Sequence, residues 1–135
     1  NLEGKIITLE GADEVADIAG QNFRQLNLTN IELIKGNFDQ TLETALQKMP
    51  SIDFAFIDGN HRKEPTERYF NQLLPHLHND SILVFDDIHW SAEMESAWKN
   101  IVAHESVTCD IDLFYIGIVS FKKEFKEKQT FSVRF

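Results

Sequence analysis

Hydrophobic positions along the chain follow two periods in turn. Short apolar runs typical of strands occur at residues 5–9, 31–34, 52–57 and 82–85. Between and after them, apolar residues recur every three or four positions, which predicts helices. The helices predicted in this way run through residues 15–26, 38–49, 69–77 and 94–102. Such alternation is typical of a parallel sheet covered by helices on both faces.

The pattern changes towards the end of the chain. Residues 107–112, 115–121 and 130–135 predict successive strands, the first two joined as a hairpin around Phe114. The runs at 52–57 and 82–85 are apolar on both faces, so we expect them to be central strands. The predicted fold is therefore a doubly wound, Rossmann-like α/β domain. It spans residues 1–135, with a mostly parallel sheet and an antiparallel C-terminal edge.

Composition limits the partners that this domain can have. The chain has 135 residues, the size of one ordinary domain, and a formal net charge of -9. That charge disfavours nucleic acid as a partner. Cys109 is the single cysteine, so no internal disulfide can form and a reducing, cytoplasmic location is predicted. No apolar run approaches the roughly 18 residues of a membrane span, so no membrane association is expected.

Polar residues follow each of the predicted parallel strands. In sheets of this class, ligands bind beyond the carboxyl ends of the strands. All four ends should open on one edge of the sheet, which makes their side chains candidates for a single site. The four segments are Glu10-Gly11-Ala12, Gly36-Asn37-Phe38, Asp58-Gly59-Asn60-His61 and Asp86-Asp87-Ile88-His89.

Each segment also has a purely structural interpretation. Asp, Asn and Gly are common in turns and at helix starts whatever the function of the protein. A capping role is the favoured interpretation for Asn37, whereas Glu10 fits a structural and a functional role equally well. His76, His78 and His104 lie within or after predicted helices, and we expect them to be structural.

The acidic pair Asp86-Asp87 is harder to explain as a turn. Two adjacent carboxylates repel each other, and a third at Asp58 adds to the cost unless a cation neutralises them. Carboxylate oxygens suit magnesium or calcium. Zinc fits less well, because His61 and His89 are the only imidazoles near the acids and zinc prefers three or four His or Cys ligands.

In order and spacing, the motifs LEG, KGNF, FIDGNH and VFDDIH resemble those of class I S-adenosylmethionine-dependent methyltransferases. More narrowly, they are similar to the small-molecule O-methyltransferases, of which catechol O-methyltransferase is the familiar member. The resemblance covers roughly residues 5 to 121. It implies that Glu10, with Gly11 beside it, holds the ribose of the cofactor, and that Gly36, Asn37 and Phe38 border its adenine.

The resemblance also implies a role for the later acids and for His61. Asp58 would border the cofactor and act as a metal ligand, and Asp86 and Asp87 would complete the metal site, with an aspartate replacing the family's amide. His61 stands where the family has a catalytic lysine, and a histidine can serve as a general base near neutral pH. This difference puts a catechol-type substrate in doubt.

The family's first strand, glycine-rich loop and first helix have no counterpart before Lys5. The sequence is therefore expected to be the C-terminal portion of a longer methyltransferase. The strand that is lacking would lie between those at residues 5–9 and 52–57. Such a piece should have unpaired edges, which could close on each other or borrow a strand from a second copy in a homodimer. We expect it to bind the cofactor poorly and to be inactive alone.

The activity implied is transfer of a methyl group to a hydroxyl of a small molecule. His61 or His89 would accept the proton, and Trp90 would either line the acceptor pocket or belong to the core. Two alternatives belong to other classes. A non-catalytic binding or assembly domain could use the same scaffold. A phosphoacceptor receiver domain is also doubly wound, but its acid pair would precede the lone aspartate, whereas here Asp58 precedes the pair.

Overall fold

The predicted alternation of strands and helices is present in the structure, a computed structural model that describes residues 3–134. The chain divides into two compact units, one ending at Met49 and the other beginning at Pro50. No helix within residues 3–134 has the length and apolarity needed to cross a membrane. The elements are β1 (Ile6–Glu10), α1 (Asp13–Gln25), β2 (Ile31–Lys35), α2 (Phe38–Lys48), β3 (Ile52–Ile57), α3 (Lys63–Leu73), β4 (Leu77–Phe85), α4 (Ala92–Ala103), β5 (Cys109–Asp112), β6 (Gly117–Ser120) and β7 (Gln129–Ser132).

The first unit is a parallel pair of strands with two helices. β1 and β2 pair in register from Ile6 opposite Ile31 to Glu10 opposite Lys35. Both α1 and α2 pack on this pair. The pairing extends beyond the strands, because the Gly36 amide donates to the Glu10 carbonyl at 2.9 Å. The carboxyl ends of β1 and β2 therefore lie side by side.

The second unit contains a five-stranded sheet with the order β3-β4-β6-β5-β7. β3 is parallel to β4, and β6 is antiparallel to both β4 and β5. The predicted hairpin around Phe114 is confirmed, since β5 and β6 are its two arms. The last strand, β7, pairs with β5 in parallel.

Helices α3 and α4 cover one face of this sheet through aromatic contacts. Phe85, at the end of β4, is 1% exposed. Its ring centroid lies 6.3 Å from that of Phe70 on α3 and 6.2 Å from that of Trp98 on α4. Because side chains alternate along a strand, Phe85 and Leu83 point to the helices while Ile82 and Val84 point to the opposite face.

The prediction that residues 52–57 form a central strand is wrong within this sheet, where β3 is the edge strand. Phe54 and Phe56 are 59% and 51% exposed. They lie opposite Ile82 and Val84 in the register, on the face that α3 and α4 leave uncovered. An apolar run shows that the side chains of a strand are hydrophobic, but it does not determine whether the strand has one neighbouring strand or two. β4 lies between β3 and β6, so the prediction of a central position is confirmed for residues 82–85.

The helix predicted to run to Leu77 ends earlier, at Leu73. A short 3₁₀ turn over Leu74–His76 follows, with Pro75 inside it. Proline has no amide hydrogen and cannot continue an α-helix. β4 then starts at Leu77, so this strand is longer than the apolar run at 82–85. The added segment is anchored by Ser81, whose buried hydroxyl donates to the Ile52 carbonyl at 2.6 Å.

Gly117 generates a prediction about stability. A Cβ at this position would lie 2.6 Å from two ring atoms of the buried Trp98 and 3.0 Å from Ile88. We expect Gly117→Ala to lower the free energy of unfolding by about 1–3 kcal/mol, because an inserted methyl overpacks a filled core. Urea denaturation measures the change.

Gly20→Ala is the matched control. Its Cβ would meet its nearest neighbour at 3.5 Å, inside helix α1. Alanine is favoured over glycine in a helix by about 1 kcal/mol, so this variant should be neutral or more stable. Equal stabilities for the two variants would contradict the packing assigned to Trp98.

Candidate active site

The carboxyl ends of β3 and β4 bring two of the predicted acids together. The strands pair up to Ile57 opposite Phe85, and the Asp86 amide then donates to the Ile57 carbonyl at 3.0 Å. Asp58 and Asp86 therefore leave adjacent strands at the same level. With His61 they form a group whose candidate ligand atoms all lie within 4.8 Å of one another.

The His61 ring lies between carboxylates. Its Nε2 atom is 3.3 Å from Oδ1 of Asp58 and 3.7 Å from Oδ2 of Asp87. The same nitrogen is buried and has no hydrogen-bond partner among the described residues. Asp87, predicted as a third metal ligand, thus lies beside the imidazole. The third member of the close group with Asp58 and Asp86 is His61 instead.

The backbone around these residues is strained. Asn60, His61 and Asp87 have φ values of 66°, 25° and 54°, the left-handed region that non-glycine residues rarely adopt. Such conformations cost of the order of 1–3 kcal/mol each and persist where the surrounding structure holds them. Here the Asn60 side-chain amide donates to the hydroxyl of the buried Tyr69 at 3.1 Å. Strain of this kind is concentrated at functional sites.

His89 lies in a second group, between two acids that sequence reasoning did not assign. Its Nε2 atom is 2.9 Å from Oδ2 of Asp112, and its Nδ1 atom is 3.5 Å from Oε1 of Glu95. The ring stacks on Phe114, with centroids 5.5 Å apart. His89 is therefore fixed in orientation by a hydrogen bond and a stacking contact.

Asp112 is held as a carboxylate by its donors. Burial alone raises the pKa of this group, but hydrogen bonds from Arg134, His89 and the Phe114 amide outweigh it and lower the pKa from 3.8 to about 2. The folded pKa is thus below the unfolded one. The stabilisation that results is complete at pH values above the unfolded pKa and is lost as the pH falls through about 2. An ionised carboxylate can only accept, so Nε2 of His89 carries the proton in this pair.

Asp112 could have been found from the sequence by the rule that identified Asp58 and Asp86. It ends β5, which runs parallel to β4 because both strands are antiparallel to β6. Its carboxyl end therefore opens on the same edge of the sheet. Arg134 carried no such signal, because it lies after β7 and reaches Asp112 only in the folded chain, with Nη1 2.9 Å from Oδ1.

A cleft of about 130 Å³ adjoins these groups. Asp87 and His89 supply its polar lining, and the aromatic side chains of Trp90, Phe114 and Tyr115 supply the rest. Trp90 is 73% exposed, Phe114 44% and Tyr115 68%. Trp90 therefore lies at a cleft, next to a predicted catalytic residue.

The cofactor-binding residues predicted in the first unit lie at the ends of β1 and β2. Oε1 of Glu10 accepts a hydrogen bond from the Ala12 amide at 2.8 Å, which shapes the turn that contains Gly11. Asn37 caps α2, because its Oδ1 accepts from the Asp39 amide at 2.9 Å. The capping interpretation of Asn37 is confirmed. Phe38 is the first residue of α2.

The remaining histidines have structural surroundings. His78 lies in β4 rather than in a helix, and its Nε2 is 2.9 Å from Oδ1 of the exposed Asp53. His104 follows α4 and packs edge-on against Phe70, with ring centroids 5.3 Å apart. His76 belongs to the 3₁₀ turn.

Several solved structures share this fold. An O-methyltransferase from Bacillus cereus in complex with SAH has a TM-score of 0.68 and 21% identity, covering 87% of this chain and 63% of that one. SAH-bound methyltransferase PaMTH1 from Podospora anserina has a TM-score of 0.72 and 15% identity, and the match covers 89% of this chain and 62% of that one. The O-methyltransferase TomG from Streptomyces achromogenes, in complex with SAM, has a TM-score of 0.72 and 17% identity. This match covers 89% of this chain and 63% of that one. At these identities the match establishes the Rossmann-like methyltransferase fold.

Sequence comparison gives the family. Residues 1–88 match the family model described as a methyltransferase domain. Uncharacterized protein R132 of Acanthamoeba polyphaga mimivirus is 33% identical over 112 residues, which are 73% of this chain and 50% of that protein. The chain thus spans about half the length of this relative and under two thirds of the similar structures. With its fold and family model in agreement, the chain belongs to the methyltransferase domain family.

Proposed function

We propose that the chain is part of an S-adenosylmethionine-dependent methyltransferase that methylates a hydroxyl group of a small molecule. The observation that carries the proposal is the convergence of Asp58, His61 and Asp86 at adjacent strand ends of a methyltransferase domain. The presence of SAH or SAM in the similar Bacillus cereus and Streptomyces achromogenes structures supports the choice of cofactor.

The first unit supplies the proposed contacts with the ribose and adenine of the cofactor. Glu10 ends β1, where a carboxylate can accept hydrogen bonds from two neighbouring ribose hydroxyls. Gly11 follows it without a side chain to obstruct the approach. Asn37 and Phe38 begin α2 and border the adenine. S-adenosylmethionine supplies an electrophilic methyl group, and the contribution of the protein is chiefly to align it with the acceptor oxygen.

The second unit supplies the proposed acceptor side. The acids predicted to bind a magnesium or calcium ion are Asp58, Asp86 and Asp87, and a bound divalent cation lowers the pKa of an oxygen that it contacts. The fit is supported by the unpartnered Nε2 atom of His61 beside these acids. The proton of the acceptor is taken by one of two imidazoles, His61 or His89.

Asp112 acts on the reaction through His89. By accepting from Nε2–H it leaves Nδ1, which lies 3.5 Å from Oε1 of Glu95, as the nitrogen that takes the proton, and it holds the ring as a carboxylate does for the histidine of a catalytic triad. The cleft beside His89 gives the acceptor a place, and its walls of Trp90, Phe114 and Tyr115 suit a flat apolar group.

The chain is proposed to work within a longer protein. It covers 62–63% of the similar SAH- and SAM-bound structures. A glycine-rich loop at the start of a helix is what cradles a cofactor in Rossmann-like folds. Because the 135 residues cover less than two thirds of those structures, we expect them to be inactive alone and to bind the cofactor poorly.

Cofactor binding tests this proposal. Calorimetric titration of the 135-residue chain with S-adenosylmethionine should show no binding in the micromolar range, because the chain covers less than two thirds of the similar SAH- and SAM-bound structures. The same titration of the longer protein should show micromolar binding. Micromolar binding to the short chain would contradict the first expectation. Retention of cofactor without transfer to any of a panel of hydroxyl acceptors would favour the binding-domain alternative.

The role of the acids is tested in the longer protein. We expect Asp58→Ala combined with Asp87→Ala to lower the rate of methyl transfer by about 100-fold or more, since both the metal and the neighbouring imidazole lose their partners. EDTA should have a similar effect on the unchanged protein, and added Mg²⁺ should restore activity. Intact turnover in both experiments would show that no metal takes part.

The Asp112–His89 pair gives a separate prediction. Asp112→Asn keeps a side chain of the same size but can present a donor to Nε2, which favours the wrong tautomer. We expect kcat to fall by about 10- to 100-fold with little change in KM, because orientation of the base affects the transition state most. Steady-state kinetics over a pH range measures both parameters.

Asp53→Asn is the matched control for Asp112→Asn. It changes a His–Asp pair with the same 2.9 Å separation on the exposed surface of β3 and β4. We expect kcat to be unchanged in this variant. If Asp112→Asn also leaves kcat and its pH profile unchanged, Asp112 does not position a catalytic base.

A further inference from the structure

We infer that His61 is a metal ligand, so that Asp58, His61 and Asp86 form a site of two carboxylates and one imidazole for a first-row transition ion rather than for magnesium or calcium. The inference concerns the site of the proposed function and decides between the two imidazoles left open there. It replaces an all-carboxylate set, completed by Asp87 and suited to magnesium or calcium, with a mixed set of ligands.

The spacing of the three side chains suits one ion. Two ligands about 2.1 Å from a common metal lie about 3.0–3.4 Å apart when they are neighbours in octahedral or tetrahedral geometry, and about 4.2 Å apart when opposite. Nε2 of His61 is 3.3 Å from Oδ1 of Asp58. The whole group falls within 4.8 Å, so only small side-chain movements separate it from a coordination sphere.

The unpartnered nitrogen of His61 is an independent indication. A buried polar atom without a hydrogen bond costs about 1–3 kcal/mol, and native structures contain few of them. Nε2 of His61 is such an atom among the described residues. Its two nearest acids lie at 3.3 and 3.7 Å, beyond the usual length of a charge-assisted hydrogen bond. A metal ion bound by Nε2 of His61 and by the carboxylates of Asp58 and Asp86 would give this nitrogen a partner.

The backbone keeps the imidazole in this position. His61 has φ of 25° and follows Asn60, which has φ of 66° and is tied to the buried Tyr69. A ligand that is already oriented loses less conformational entropy on binding. The strained turn therefore presents His61 to the acids before an ion binds.

The imidazole determines which metal fits. Magnesium and calcium prefer oxygen ligands, whereas imidazole suits zinc, copper, iron and nickel, and affinity for mixed sites rises from manganese towards copper. One imidazole with two carboxylates therefore favours a transition ion over magnesium. With His61 bound to the metal, His89 is the imidazole that remains to accept the proton.

Metal titration of the chelator-treated protein tests this inference without any activity measurement. By calorimetry, we expect Mn²⁺ and Zn²⁺ to bind at least about 10-fold more tightly than Mg²⁺. His61→Ala should weaken Mn²⁺ binding by about 10-fold or more and Mg²⁺ binding by less than about 3-fold. His78→Ala is the matched control, because it removes the histidine of the surface pair with Asp53. It should leave all three affinities unchanged.

Pulsed EPR of the Mn²⁺-loaded protein provides a direct signature. Coupling to a ¹⁴N nucleus should be present in the unchanged protein and in His78→Ala, and absent in His61→Ala. His61→Asn, which retains a polar side chain in the turn, gives the same test if the alanine variant does not fold. Absence of nitrogen coupling in the unchanged protein, or equal Mn²⁺ affinities with and without His61, would overturn the inference.

The outcomes separate this inference from the proposed function. Nitrogen coupling in a longer protein that binds no S-adenosylmethionine would support the metal site and contradict the methyltransferase proposal. Metal-dependent methyl transfer without nitrogen coupling would support the methyltransferase proposal and contradict His61 as a metal ligand. His61 would then again be a candidate proton acceptor.

Discussion

The parallel pairing of β3 with β4 is the constraint on which the candidate site depends. It is held from the helix side by Phe85, whose buried ring lies between Phe70 and Trp98. Because the strands pair up to Ile57 and Phe85, the residues that follow them start from the same edge. Asp58 and Asp86 are neighbours for this reason alone, although 28 positions separate them in the sequence.

Two groups of charges at this edge of the second unit are neutralised in different ways. Asp112 receives hydrogen bonds from Arg134, His89 and the Phe114 amide, so its charge is satisfied within the protein. Asp58 and Asp87 lie near the ring of His61, whose buried nitrogen makes no hydrogen bond to the described residues. The contrast explains why a cation is proposed at one group and a positioning role at the other.

The sheet of the second unit also bears on the proposal of a longer protein. β3 lies at its edge, with Phe54 and Phe56 exposed on the face that α3 and α4 do not cover. An edge strand with exposed apolar side chains is a surface on which a further element can pack. The first unit has its own strand pair, and the predicted cofactor residues lie at its carboxyl ends.

The sequence by itself determined the α/β class, the order of the elements, the hairpin around Phe114 and the acids at the strand ends. These features depend on periodicity and on local turn chemistry, which neighbouring residues decide. Tertiary structure alone decided that β3 is an edge strand, that His61 rather than Asp87 joins Asp58 and Asp86, and that Arg134 reaches Asp112. Each of these depends on which strands pair and which side chains meet across the fold, and periodicity along the chain carries no information about such long-range contacts.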